Sequence, residues 1–192
     1  MDEQAEVLGR LVKAVILLEE CREFALLVPE VRVNIVYALS NATGISDIAA
    51  VDGRITVVNG SPKAAGLPRF GASDHMARAI LEIRKHRPEV RSGINFRYNE
   101  QLKKIVESYA KIKNLSIGGI EREYEPDMER RGLVKSMPWK INYLKKVHGC
   151  IPDVFYETAG WGKEPLFVVV GEEPIKVAEI TVEIAKKYSK TV

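Results

Sequence analysis

Strand-like segments in this sequence sometimes follow one another directly and sometimes lie on either side of an amphipathic helix. "VRVNIVYAL" (31–39) and "GRITVV" (53–58) are separated only by a turn-rich stretch, as are "DVFYE" (153–157) and "LFVVVG" (166–171). Between these pairs, "SGINFRY" (92–98) and "NLSIGGI" (114–120) are flanked by helical patterns at 74–87, 99–112 and from Pro138 to Val147. Direct strand-to-strand steps favour antiparallel pairing, whereas a helix between strands allows a crossover. The combination predicts an α/β fold with a mixed sheet and helices on both faces. Residues 3–27 carry Val7, Leu8, Leu11, Val12, Val15 and Leu18 at helical spacing, and 174–189 form a closing helix. The alternation in 31–39 predicts a strand buried on one face only, and "NGSPKAAGLPR" (59–69) reads as a loop. The segment "EREYEPDMERRGLVKS" (121–136) reads as a charged connection.

At 192 residues the chain has room for one substantial core, so 1–192 is expected to be a single domain. The 29 Lys and Arg against 26 Asp and Glu leave a net charge of +3, too small for a nucleic-acid surface but suited to phosphorylated small molecules. Cys21 and Cys150 lie far apart and form no metal or redox spacing, which fits a reduced, cytoplasmic setting. The opening Met1-Asp2-Glu3-Gln4 is acidic, unlike a leader, and no apolar run approaches the ~20 residues of a membrane helix.

Four stretches have the residue types of a site. In "FGASDHMARAI" (70–80), Ser73 is placed to cap a helix whose free amide groups, with Arg54, Arg69 and Lys63 nearby, would attract an anion. His75 could then bind a phosphate oxygen or exchange a proton; equally, it could be an ordinary helix residue beside a structural cap. In "GINFRYNE", Gly93, Asn95 and Arg97 share one strand face, either a polar wall for phosphate or heterocycle or simply a solvated side. "SMPWK" sets Met137 and Trp139 beside Pro138, as a ring-covering pair or as an apolar clasp at a helix start. In "PDVFYETAGWGKEP", Asp153 and Glu157 fall on one side of a strand and Lys163 follows two glycines. Those carboxylates could hold magnesium or an aminopyrimidine edge, or could be ordinary surface charges on a hairpin.

Taken in order, "VDGRIT", "PRFGASDHMARAI", "INFRYN", "EREYEP", "MPW" and "PDVFYETAGWGKEP" resemble the ThiN-type thiamine-phosphate synthase family over residues 5–190. The resemblance implies a three-layer α/β/α fold around a mixed, mostly antiparallel sheet, similar to class II aldolases. It implies joining of hydroxymethylpyrimidine diphosphate and hydroxyethylthiazole phosphate into thiamine phosphate, with diphosphate released. The family's essential arginine and histidine correspond to Arg54 of "DGRIT" and His75 of "GASDH". Substrate contacts are then expected from Arg69, Ser73, Asn95, Arg97, Met137, Trp139, Asp153 and Lys163. Magnesium is expected only as a companion of the diphosphate, without a recognisable ligand set, and no organic cofactor is implied. Lys140 departs from the family's usual glycine after the tryptophan, which puts close approach at that end of the pocket in question.

Domains of the family it resembles are commonly fused behind a phosphomethylpyrimidine kinase, so a kinase partner is an expectation, and the strands and the apolar first helix make a homodimer another. A non-catalytic thiamine-phosphate sensor is the competing reading, with a single helix before the first strand arguing against a DNA-binding unit. A metal-dependent aldolase would require clustered histidines, whereas His75, His86 and His148 are scattered.

Overall fold

The computed structural model describes residues 2–192. Nine strands and six α-helices run in the order α1 (Glu3–Glu20), β1 (Ile35–Ala38), β2 (Ile48–Val51), β3 (Ile55–Val58), β4 (Ser61–Ala64) and β5 (Pro68–Phe70). Then come α2 (His75–Arg84), β6 (Ser92–Arg97), α3 (Glu100–Lys113), β7 (Ile117–Ile120) and α4 (Asp127–Arg130). The chain closes with α5 (Met137–His148), β8 (Val154–Glu157), β9 (Leu166–Gly171) and α6 (Pro174–Tyr188). Seven strands form one sheet in the order β5-β2-β1-β6-β9-β8-β7. Only β7 and β8 pair in parallel, and the other neighbours are antiparallel.

Alternate residues of the central strands enter opposite cores, as the two-residue period requires. Ile35, Tyr37, Ile94, Phe96, Phe167 and Val169 pack under α1, α3 and α6. Val36, Ala38, Val168 and Val170 pack under α2 and α5. This is the three-layer α/β/α arrangement, and it corrects the half-buried reading of 31–39, because β1 is buried on both faces. The helix expected over 3–27 ends at Cys21 and is replaced by a 3₁₀ segment, Arg22–Leu27. Asn99 caps α3 by accepting from the Leu102 amide at 2.7 Å.

The stretch read as a loop at 59–69 contains β4 and the start of β5. Asn59 and Gly60, at φ 50° and 72°, form the two-residue turn of the β3–β4 hairpin. An Asn-Gly pair supplies two left-handed residues, the conformation such a turn needs. Strand β2 was not anticipated: four buried residues, two of them alanine, make a weak strand pattern. No helix among the described residues is long and apolar enough to cross a membrane.

The sheet register gathers functional positions at one end. Ile35 lies opposite Ile94, Val36 opposite Ala50, Arg97 opposite Leu166, and Glu157 opposite both Leu166 and Ile120. The start of β1, the ends of β2, β6, β7 and β8, and the start of β9 therefore meet on the same edge of the central strands.

Candidate active site

A cavity of about 340 Å³ opens at that edge, with Arg54, His75, Asn95, Arg122, Lys140 and Lys163 in its wall. Each comes from a different element, so the site exists only when the sheet is assembled. Arg54 follows β2 in a sharp turn where Gly53 has φ 73° and Arg54 itself φ 70°. A side chain on Gly53 would place its Cβ 2.8 Å from that of Ala65, so both backbone freedom and space call for glycine. Arg54 has no such excuse: a non-glycine residue in the left-handed region carries ~1 kcal/mol or more of strain. Its guanidinium Nη1 donates to the Val31 carbonyl, and among the described residues it is the one cation of the cavity wall without a carboxylate partner.

Two buried asparagines hold this corner together. Asn34 donates through Nδ2 to the Val51 carbonyl at 3.1 Å and accepts from the Val51 amide at 3.0 Å. Asn95 Oδ1 accepts from the Asn34 amide at 2.9 Å, while Nδ2 donates to the Arg32 carbonyl at 3.0 Å. Carboxamides can donate and accept at once, so the pair bridges three backbone segments without leaving a buried polar atom unmet.

Beneath the opposite wall lies a buried ionic cluster. Glu157 accepts from Lys140 Nζ at 2.7 Å and from Arg122 Nη2. Glu125 accepts from Arg122 Nη1 at 3.4 Å and from Lys163 Nζ at 2.9 Å. Burial alone would push the Glu157 carboxyl up; Lys140 and then Arg122 outweigh it and hold it below the ordinary range. Lys140 is pulled below its ordinary value by burial first, an effect that Glu157 opposes. Arg122 Nε is the one buried side-chain nitrogen or oxygen among the described residues without a hydrogen-bond partner.

His75 is the first residue of α2. Its ring is exposed to the cavity, yet protein crowds the recess around it. Loss of hydration, then the Lys140 ammonium, moves its pKa below the ordinary histidine value, so the imidazole is neutral at pH 7. A neutral ring can donate one N–H to an anion and still take up a proton as negative charge accumulates.

Of the sequence-derived residues, Arg54, Ser73, His75, Asn95 and Lys163 border this cavity. Ser73 does so without capping: Asp74 occupies the cap position and no side chain there accepts a helix amide. The others lie elsewhere. Arg69 forms a two-pronged pair with Asp52, at 2.9 and 3.0 Å, and Lys63 lies 3.9 Å from Glu19. Arg97 donates to the Val28 carbonyl at 3.1 Å. Met137 is packed into the core beneath α2 and α5, while Trp139 leans on Tyr143 with ring centres 5.2 Å apart, over a separate groove. Asp153 precedes β8 and is bound by Arg87 and Ser116, so it shares no site with Glu157. The sequence reading missed Arg122 and Glu125, which "EREYEP" carries, and it took Lys140 for an obstacle when that side chain is part of the charged wall.

Residues 10–183 match the family model described as Thiamine-phosphate synthase ThiN. The chain is 38% identical over 176 residues to Thiamine-phosphate synthase ThiN of Methanothermobacter thermautotrophicus, covering 92% of this chain and 90% of that one. It is 32% identical over 164 residues to the bifunctional thiamine biosynthesis protein ThiDN of Methanocaldococcus jannaschii, covering 85% of this chain but 37% of that protein. The crystal structure of a C-terminal domain of phosphomethylpyrimidine kinase superposes with a TM-score of 0.88 at 34% identity, over 95% of this chain and 100% of that one. An Escherichia coli protein of the aldolase/epimerase/decarboxylase kind, 12% identical with a TM-score of 0.55 over 100% of this chain and 92% of that one, shares the fold alone. The match in sequence and the match in fold both span nearly all of the strands and helices that build the cavity, and the chain belongs to the thiamine-phosphate synthase ThiN family, enzymes of thiamine biosynthesis.

Proposed function

We propose that this protein joins hydroxymethylpyrimidine diphosphate to hydroxyethylthiazole phosphate, forming thiamine phosphate and releasing diphosphate. The observation that carries the reading is the meeting of Arg54, from the turn after β2, and His75, from the start of α2, in one cavity. The bond between the pyrimidine methylene and the diphosphate oxygen breaks with its electron pair on oxygen. The ring amino group supplies electron density to the carbon left behind, and the thiazole nitrogen closes the new C–N bond with its lone pair. Negative charge grows on the departing diphosphate, so cations and N–H donors already in place lower the barrier. Arg54 is the cation least committed elsewhere, and neutral His75 donates a hydrogen bond to the leaving group. Lys163, Lys140 and Arg122 add positive potential from the opposite wall, partly offset by Glu157 and Glu125. Val31, Met76 and Leu166 provide the apolar lining for the ring, in place of Met137 and Trp139.

Magnesium fits this site as a companion of the diphosphate more readily than as a resident ion. No group of three or more His, Cys, Asp or Glu among the described residues could hold a metal. The carboxylates at the cavity are engaged: Glu157 and Glu125 by cations, and Glu164 by the Glu30 and Val31 amides at 3.1 and 3.0 Å. Incubation with both phosphorylated precursors, followed by detection of thiamine phosphate and diphosphate in equal amounts, tests the proposal. Tight binding of thiamine phosphate with no product formation would replace it with a sensor.

A further inference from the structure

A side recess of about 360 Å³ adjoins the main cavity and shares Val31 and Arg54 with it; Arg32, Gly53, Glu30 and Ala72 complete its border. Two arginines thus face a space the proposed chemistry has not used. Both hold the left-handed backbone conformation, Arg32 at φ 66° and Arg54 at φ 70°, which a non-glycine residue adopts at a cost. The buried amides described above impose it: Asn95 holds the Arg32 carbonyl, Asn34 holds both polar groups of Val51, and Val51 enters the turn that carries Arg54. Among the described residues neither guanidinium has a carboxylate partner; Arg84, Arg97 and Arg130 share that lack but are spent on backbone carbonyls and border neither cavity, so Arg32 and Arg54 are the unpaired arginines that face this space. Glu30 is the one carboxylate at the recess, leaving it with a net positive charge.

Resting on the synthase reading, we infer that this recess is the subsite for the phosphate monoester of the thiazole substrate, with Arg32 as the residue that selects the phosphorylated form. The reaction brings two anionic substrates together, and a single cavity would force their phosphates into mutual repulsion. A second pocket joined through Arg54 separates them while keeping the thiazole ring beside the pyrimidine methylene. Paired guanidiniums match the geometry of a phosphate better than ammonium groups do, because each presents parallel N–H donors.

Calorimetric titration and steady-state kinetics on the wild type, Arg32→Asn and Arg32→Lys test this. Asparagine tolerates the left-handed conformation, so it removes the charge while keeping the turn. In Arg32→Asn, the KM and Kd for hydroxyethylthiazole phosphate should rise about tenfold or more, with affinity for the unphosphorylated alcohol unchanged. The KM for hydroxymethylpyrimidine diphosphate should stay within about twofold, and Arg32→Lys should fall between. In the wild type, the Arg32 Nε–H resonance should shift on adding thiazole phosphate and not on adding the alcohol, a readout independent of how any variant folds. Unchanged thiazole-phosphate affinity in Arg32→Asn, a loss that falls on the pyrimidine diphosphate, or a silent Arg32 resonance would each overturn the subsite. A wild type that binds thiazole phosphate through Arg32 yet makes no thiamine phosphate would remove the synthase reading and leave the subsite standing.

Discussion

Lys140 and Glu157 meet at 2.7 Å in the charged wall of the cavity, with 2% and 3% of their side-chain surface exposed. An ion pair so deeply placed is weak evidence of net stability, since both charges lose their hydration, but breaking one side of it is costly. The pair belongs to a chain of charges running from Lys140 through Glu157, Arg122 and Glu125 to Lys163. That chain ties α5, the ends of β7 and β8, and the loop before β9 to one wall of the site.

Replacing Glu157 with glutamine should therefore destabilise the protein by about 3–5 kcal/mol, because Lys140 and Arg122 remain buried and lose their counter-charge. Denaturant unfolding at pH 7 measures it. The wild type should also show an acid limb that the variant lacks. The folded carboxyl lies below its ordinary value, so its contribution is complete above about pH 4.3 and is lost as pH falls through the lower folded value. Equal pH profiles for the two proteins would contradict this account.

His75 should titrate below ~6.5 in the free protein, and its midpoint should climb when diphosphate is added, since an anion alongside stabilises the imidazolium. NMR of the ring protons follows both. Because the folded value is depressed, His75 detracts from stability as pH falls from about 6.5 toward that value. Alanine at His75 should abolish turnover with the melting temperature held, while a midpoint indifferent to diphosphate would remove His75 from the anion site.

Arg54→Gly separates the chemical role of Arg54 from its structural one. Glycine accepts φ 70° without strain, so stability should hold or rise slightly, even with the contact to Val31 gone. Turnover should nevertheless fall, with kcat/KM down about 100-fold or more, as expected when a group opposing developing charge is lost. Thermal melting paired with the synthase assay decides between them.

Trp139→Leu should do the reverse. The indole packs on Tyr143 over a groove separate from the charged cavity, so its loss should cost about 1–3 kcal/mol of stability. KM for both substrates should stay within about twofold. A selective rise in KM for the pyrimidine substrate would return Trp139 to the ring-binding role its motif first indicated.

Most elements were legible in the sequence because their patterns are local. The apolar stripes of α3 and α6 and the apolar strand β9 follow from side-chain spacing over a few residues. The β3–β4 hairpin was missed, because the breakers of 59–69 read as a loop although its Asn-Gly pair forms the turn. Strand β2 was not, since alanines take their burial from neighbours supplied by distant segments.

The amino-acid sequence by itself determined the layered α/β character and the order of six strands and five helices, and its resemblance to a family singled out Arg54 and His75, which the structure brings to one cavity. Tertiary structure alone decided which charges share a space. Arg69, Arg97 and Asp153 have the chemistry of phosphate or pyrimidine ligands, yet each is committed to a neighbour outside the cavity. Arg122 went unnoticed, Glu157 was linked with Asp153 and Lys140 was read as an obstacle, yet the three converge because β7 and β8 end, and α5 begins, at the same edge of the sheet. The physical reason is range. Helix and strand periodicity is written within a dozen residues, whereas an electrostatic site depends on distances between side chains that only the folded sheet brings within a few ångströms.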